Sequence, residues 1–290
     1  MKKIIPRLLV FFIGLPLFFG TVFLLPHYHH LVFNLLVVIF SALGAMEFSV
    51  LLAQKKLNVS KAESAILGAL PPLTMILIAN LSLSDIALSA VIAAVVSWLL
   101  VSRIFFRGNM PDNFLNQLTA GLAVLLYPGM LMAWIVRMSL WENASIIIFI
   151  FLIVVFFTDG MAWVTGMLFG KGNQGIIPIS PHKSIAGFIG GAIASIVIGA
   201  GAALLYPETF VPRFHSVMGI PSVAGALLGL LTGIAAVFGD LGESAIKRSS
   251  GLKDSGNIIP GRGGVLDSID SIVLAAPVYY LVFCLLFVQP

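Results

Sequence analysis

The chain has 290 residues, 59% of them hydrophobic and only 10% charged, with a mean hydropathy of +1.08. Soluble domains run near 25% charged, so this composition excludes an ordinary water-soluble globule. Sixteen bases against twelve acids leave a net charge of +4, and one cysteine, Cys284, excludes an internal disulfide. The expectation is an all-α, polytopic integral membrane protein in which the few polar residues carry the chemistry.

A bilayer core of about 30 Å takes roughly 20 apolar residues as helix, and backbone in lipid must satisfy its own hydrogen bonds. Nine stretches meet this, at about 8–25, 31–53, 64–82, 85–103, 115–135, 145–169, 184–205, 220–240 and 266–287. The first opens Met1-Lys2-Lys3 like a signal peptide. No small-x-small cleavage site follows Leu25, where the chain reads Pro26-His27-Tyr28-His29-His30, so an uncleaved span is expected. The three histidines there resemble a metal site only superficially.

The bases orient the spans. With the N-terminus cytoplasmic, the inner segments hold Lys2, Lys3, Arg7, Lys55, Lys56, Lys61, Arg103, Arg107, Lys171, Lys183, Lys247, Arg248, Lys253 and Arg262. That is 14 of the 16 bases, and only Arg137 and Arg213 remain outside. Cytoplasmic loops are enriched in Lys and Arg, so nine spans with the N-terminus inside is the expected topology.

The chain is not uniform along its length. Residues 1–140 have short loops and bland aliphatic helices, as a lipid-facing scaffold would. Residues 141–290 carry longer cytoplasmic loops, about 170–183 and 241–265, dense in Gly, Pro, Ser and Lys. Gly187 with Gly191, and Gly225, Gly229 and Gly233, recur at a spacing that lets helices approach closely in lipid. These glycines are compatible with a homodimer without requiring one.

Acids inside spans are expensive and by default mark a functional site. The topology puts Glu47, Asp159, Asp240, Glu243, Asp267 and Asp270 near the cytoplasmic side, and Asp85, Glu142 and Glu208 near the outer side. Asp240 and Glu243 share a helical face at the end of span eight, and Asp267 and Asp270 repeat that spacing at the start of span nine. Two carboxylate pairs can converge on a hard cation, and magnesium takes one or two carboxylates plus substrate phosphates. The alternative is simple ion pairing with Lys247, Arg248 or Lys253. Glu243 with Lys247 at i, i+4 suits it, whereas no base lies within helical reach downstream of Asp267 and Asp270.

Between the acid pairs runs the most polar stretch, from Lys247-Arg248 through Lys253-Asp254 to Arg262-Gly263-Gly264. Glycines before a helix start expose backbone N–H groups to an anion, and Lys and Arg add charge-assisted bonds to phosphate. A second polar stretch holds Asp159, Lys171, His182, Lys183 and Ser184. Lys183 and Ser184 open span seven, where they suit phosphate binding, although capping alone would account for Ser184. His182 suits a surface position better than a catalytic one.

The run Ser244-Ala-Ile-Lys247-Arg248, Lys253-Asp254-Ser-Gly256, Pro260-Gly-Arg262-Gly263-Gly264-Val-Leu-Asp267-Ser268-Ile-Asp270 resembles the signature of the phosphatidate cytidylyltransferases, the CDP-diacylglycerol synthase family. Asp159-Gly-Met-Ala, Phe169-Gly170-Lys171, Ser180-Pro181-His182-Lys183-Ser184 and Gly239-Asp240-Leu-Gly-Glu243-Ser244 are similar to further blocks of that family. The resemblance is detailed over roughly residues 150–290. It departs at two positions: Arg262 stands where the family usually has His and keeps a cation, and Ser268 stands where it usually has Arg and loses one.

The resemblance implies that CTP and phosphatidate give CDP-diacylglycerol and pyrophosphate, with magnesium alone or with a second cation, at the cytoplasmic face of the inner (plasma) membrane. Asp240, Asp267 and Asp270 are the expected magnesium ligands, and Lys247 and Arg248 complete the catalytic set. Lys247, Arg248 and Lys253 are expected to hold the triphosphate and the departing pyrophosphate, Asp254, Arg262, Gly263, Gly264 and Ser244 to bind substrate, and Asp159, Lys183 and Ser184 to lie on the lipid-phosphate side. The expected partners are CTP, phosphatidate and membrane lipids, with no nucleic acid. Two other readings compete. One is a lipid kinase that uses CTP on a polyprenol or phytol hydroxyl. The other is a cation-coupled transporter, which the one-sided acids and the lack of an inverted repeat disfavour.

Overall fold

The computed structural model describes residues 15–105, 111–214, 219–259, 261 and 263–288, and among these the regular structure is helical, with only isolated β-bridges. Lys2, Lys3, Arg7, Arg107, Arg262 and the beginning of the expected first span lie outside the described residues. The helices are α1 (Leu15–Leu24), α2 (His27–Ala53), α3 (Lys61–Leu81), α4 (Ile86–Phe105), α5 (Asn113–Met138), α6 (Ala144–Phe169), α7 (Ile185–Leu205), α8 (Pro221–Ser249) and α9 (Leu266–Leu286). The eight from α2 to α9 are long and apolar enough to cross a membrane.

One boundary differs from the sequence expectation by more than two turns. Span eight was placed to end near residue 240, yet α8 continues to Ser249. Hydropathy marks where a chain leaves lipid, and a helix can continue past that point. Asp240, Glu243, Lys247 and Arg248 therefore ride on one continuous helix. It stops at Gly251 (φ 75°), where the Gly251 N–H donates to the Arg248 carbonyl (3.1 Å) and the Leu252 N–H to the Lys247 carbonyl (3.0 Å). That pair of bonds with a left-handed glycine is a Schellman stop, which satisfies carbonyls the helix would otherwise leave open.

The chain divides into two compact units, Met1–Leu140 with Ile246–Ile269, and Trp141–Ala245 with Asp270–Pro290. In the first unit α2 packs along α3. Pro71 and Pro72 lie inside α3, and Pro128 lies in a π-helical segment of α5, Leu125–Met130. Each proline removes one N–H from its helix, and Pro72 deprives the Gly68 carbonyl of its partner. The buried Ser41 hydroxyl of α2 reaches both that carbonyl (2.6 Å) and the Pro128 carbonyl (2.7 Å). Side-chain repair of this kind is how a broken helix survives away from water. Two ion pairs also lie in this unit: Arg103 with Glu63 at 2.6 Å, and Arg137 with Asp85 at 2.6 Å.

In the second unit α6 packs on α7. Backbones of α7 and α8 touch where a side-chain carbon on Gly199 would strike the Gly225 carbonyl and one on Gly229 the Ser195 carbonyl. Gly199, Gly225 and Gly229 thus serve close packing within the unit. Tyr279 of α9 is fully buried and donates to the Ile147 carbonyl of α6 at 3.3 Å.

A carbon added at Gly68 would lie 2.5 Å from Ala45 Cβ and 2.7 Å from the Ser41 carbonyl, whereas one at Gly201 meets nothing within 4 Å. Gly68→Val is therefore expected to destabilise the protein by at least about 1–3 kcal/mol. Gly201→Ala should not lower the melting temperature. Thermal melting of the two variants in detergent checks the contrast.

Candidate active site

In the first unit the signature loop closes on Asp267, in the first turn of α9. Its Oδ2 accepts from the backbone N–H groups of Ser255 (3.0 Å) and Gly264 (2.7 Å), and its Oδ1 pairs with the Lys247 ammonium at 2.6 Å. The pair is largely enclosed, with side-chain exposures of 12% for Lys247 and 7% for Asp267. The loop is pinched by reciprocal backbone bonds between Ile259 and Gly263 (2.9 and 3.1 Å), with left-handed glycines at 261 and 263. Arg248, Lys253 and Asp254 are exposed, while Gly263 is half-buried and Gly264 buried. Arg262 lies outside the described residues.

Two features of this cluster depart from the sequence reading. The ion pairing with Lys247 that helical spacing disfavoured for Asp267 is present, made from twenty residues upstream. Glu47 of α2, noted in the sequence only as an acid on the same side, enters the loop itself. Its Oε2 accepts from the Ser255 hydroxyl (3.0 Å) and the Leu266 N–H (2.8 Å).

In the second unit a cavity of about 430 Å³ is lined by Asp159, Trp163, Gln174, His182, Lys183, Ser184, Phe188 and Asp240, among others. Lys183 pairs with Asp240 Oδ2 at 2.6 Å, and the Ser244 hydroxyl approaches Oδ1 at 3.4 Å. This pair is more open than the first, at 24% exposure for Lys183 and 32% for Asp240. The Lys183 ammonium also stands 5.9 Å from the Phe188 ring centroid, a distance at which a cation is attracted by the ring face.

Ser184 caps α7 by accepting from the Gly187 N–H at 3.1 Å, so it has a structural duty while facing the cavity. His182 is exposed at the rim. Asp270 is half-buried and accepts from the Ser271 N–H at 2.7 Å. A carbon added at Gly239 would strike the Asp270 carbonyl, so α8 and α9 make close backbone contact beside Asp240 and Asp270.

Among the described residues, neither unit groups three His, Cys, Asp or Glu side chains as a metal site. The donors present still suit a hard cation. Asp159 and Asp240 border one cavity with room for a phosphate, and magnesium needs only one or two carboxylates when phosphates and water fill its octahedron.

Eight membrane-length helices among the described residues, with charged side chains paired among them, define a polytopic helical membrane protein. The chain belongs to the cytidylyltransferase family, whose model matches residues 5–286. It is 34% identical over 176 residues to the phosphatidate cytidylyltransferase of Mycobacterium bovis, covering 61% of this chain and 54% of that protein. It is 41% identical over 128 residues to the phosphatidate cytidylyltransferase of Synechocystis, covering 43% and 39%. It is also 33% identical over 187 residues to the uncharacterized protein YnbB of Escherichia coli, covering 60% and 57%. The chain thus spans about half the length of the curated relatives it matches.

Breaking one side of an enclosed ion pair leaves a charge without its partner, whereas removing both sides does not. Lys247→Met and Asp267→Asn should each lower the melting temperature in detergent. The double variant should lose less than the two singles added, with a coupling of about 1–3 kcal/mol. Additive losses in the melting curves would show that the pair carries no net interaction.

Proposed function

We propose that the protein is a phosphatidate cytidylyltransferase working at the cytoplasmic side of the plasma membrane. The observation that carries the reading is the mixed cavity of the second unit, in a chain of this family. Lys183 and the capped start of α7 present positive charge to an anion, and Trp163 and Phe188 line the same space with surface suited to a lipid.

In the proposed reaction a phosphate oxygen of phosphatidate attacks the α-phosphorus of CTP. The bond from that phosphorus to the β-phosphate bridging oxygen breaks, and pyrophosphate leaves. The nucleophile is already ionised, so the protein's task is positioning and charge compensation between two anions. Lys183 holds the lipid phosphate once it separates from Asp240. The exposed Arg248 and Lys253, with Arg262, take the triphosphate, and Lys247 keeps Asp267 oriented. Asp240 and Asp270 in the second unit, and Asp267 in the first, are each proposed as a magnesium ligand, a role supported by the hard-oxygen donor chemistry and the family signature. Magnesium, when bound, would neutralise charge on the phosphates and favour departure of pyrophosphate.

Purified protein in detergent with labelled CTP, phosphatidate and magnesium should form labelled CDP-diacylglycerol, and chelation should abolish it. Asp240→Asn and Asp267→Asn should each cut the rate by about 10²-fold or more while the protein still reaches the membrane. An active, metal-dependent Asp267→Asn protein would refute its assignment as a ligand. Label appearing in no lipid would refute the reaction.

A further inference from the structure

Glu47 belongs to α2, far in sequence from the signature blocks, and is only 6% exposed. A carboxylate is costly to bury unless donors converge on it, and here they come from a single loop. One oxygen, Oε2, receives the Ser255 hydroxyl and the Leu266 N–H, binding the beginning and the end of the stretch that turns back into α9. Ser255 passes the constraint on: its N–H donates to Asp267 Oδ2 (3.0 Å), and its Oγ lies 3.3 Å from the Asp267 N–H.

The loop is shaped to admit this carboxylate. A side-chain carbon on Gly256 would strike Glu47 Oε1, and one on Gly264 would strike Oε2 and the Ser255 hydroxyl. Oε1 is buried with no hydrogen-bond partner among the described residues. Packing alone would be served better by an apolar side chain. What the charge supplies is a strong acceptor with two donors in fixed directions.

We propose that Glu47 is a positioning residue for the reaction. It ties Ser255 and the start of α9 to α2, and thereby holds Asp267 and Lys247 in working orientation. This rests on the role given to Asp267 and Lys247 under the proposed function. It assigns part of the catalytic apparatus to the N-terminal helices, which the sequence marked only as scaffold.

The test uses the full chain in detergent with Glu47→Ala, Glu47→Gln, Ser255→Ala and the Glu47→Ala/Ser255→Ala double variant. Two quantities are followed: amide hydrogen exchange over residues 252–266, and the kinetics of CDP-diacylglycerol formation. Glu47→Ala should speed exchange in that loop about tenfold or more while leaving α3 unchanged. It should lower kcat roughly 10–100-fold, as loss of an outer partner does, and change the KM for CTP less. Glu47→Gln, which keeps one acceptor oxygen, should recover most of both. The double variant should be no worse than the poorer single.

Unchanged loop exchange, exchange raised equally in α3, or additive kinetic losses would overturn the proposal. Should Glu47→Ala fail to accumulate, Ser255→Ala decides alone, since it cuts the same link while leaving the Leu266 bond; wild-type exchange and kcat in that variant overturn the proposal. If the wild-type protein makes no CDP-diacylglycerol, the functional reading fails, and the exchange data still show whether Glu47 orders the loop.

Discussion

A polar group taken out of water must be met by another polar group, and this requirement shapes the molecule more than any other. In α3 and α5 it falls on carbonyls freed by Pro72 and at Pro128, which the Ser41 hydroxyl reaches. At the end of α8 it falls on the last carbonyls, closed by the turn at Gly251. It falls also on the charges, and the pairs Arg103–Glu63, Lys183–Asp240 and Lys247–Asp267 answer it. Each solution restrains neighbouring chain, so satisfying these groups and building a rigid site are the same process.

Two ion pairs, Lys247–Asp267 in the first unit and Lys183–Asp240 in the second, answer the requirement to different degrees. Lys247 and Asp267 are enclosed, and Asp267 also has two backbone donors. Separating them would leave charge stranded in poorly solvated surroundings, so this pair is suited to stay together. Lys183 and Asp240 face a cavity and keep more contact with solvent. On the proposed reading, a phosphate would replace the carboxylate at Lys183 at lower cost, because each charge released would find water or a cation. One pair is thus fit to hold geometry and the other to exchange partners, a difference of burial and not of residue type.

Much of the fold was legible in the sequence because hydropathy and helix length are local properties. The spans from α2 to α9 were anticipated within a few residues except at the end of α8, where lipid exit and helix end part company. The cap at Ser184 was legible for the same reason, its acceptor and donor being three residues apart. What could not be read were contacts made across the chain. Lys183 meets Asp240 from the loop before α7, and Lys247 meets Asp267 across a loop whose path no periodicity describes. Glu47 is the clearest case. Its presence inside a span flagged it as costly, yet its partner Ser255 lies 208 residues away, and nothing local connects an acid in α2 with a serine in the signature.

The departure at Ser268 has a consequence for how charge is shared in the site. Its hydroxyl lies 3.3 Å from the Gly264 carbonyl, so it serves the first turn of α9 and brings no positive charge to the loop. Lys247 is already committed to Asp267. On the reading that this loop receives a triphosphate, the positive charge must come from the exposed Arg248 and Lys253 and from Arg262. Exposed side chains on a glycine-rich loop can swing toward an anion, but they spend rotamer freedom in doing so. A loop with mobile cations gains from a firm base, and the carboxylate of Glu47, holding Ser255 and Leu266 together, provides that base without adding positive charge of its own.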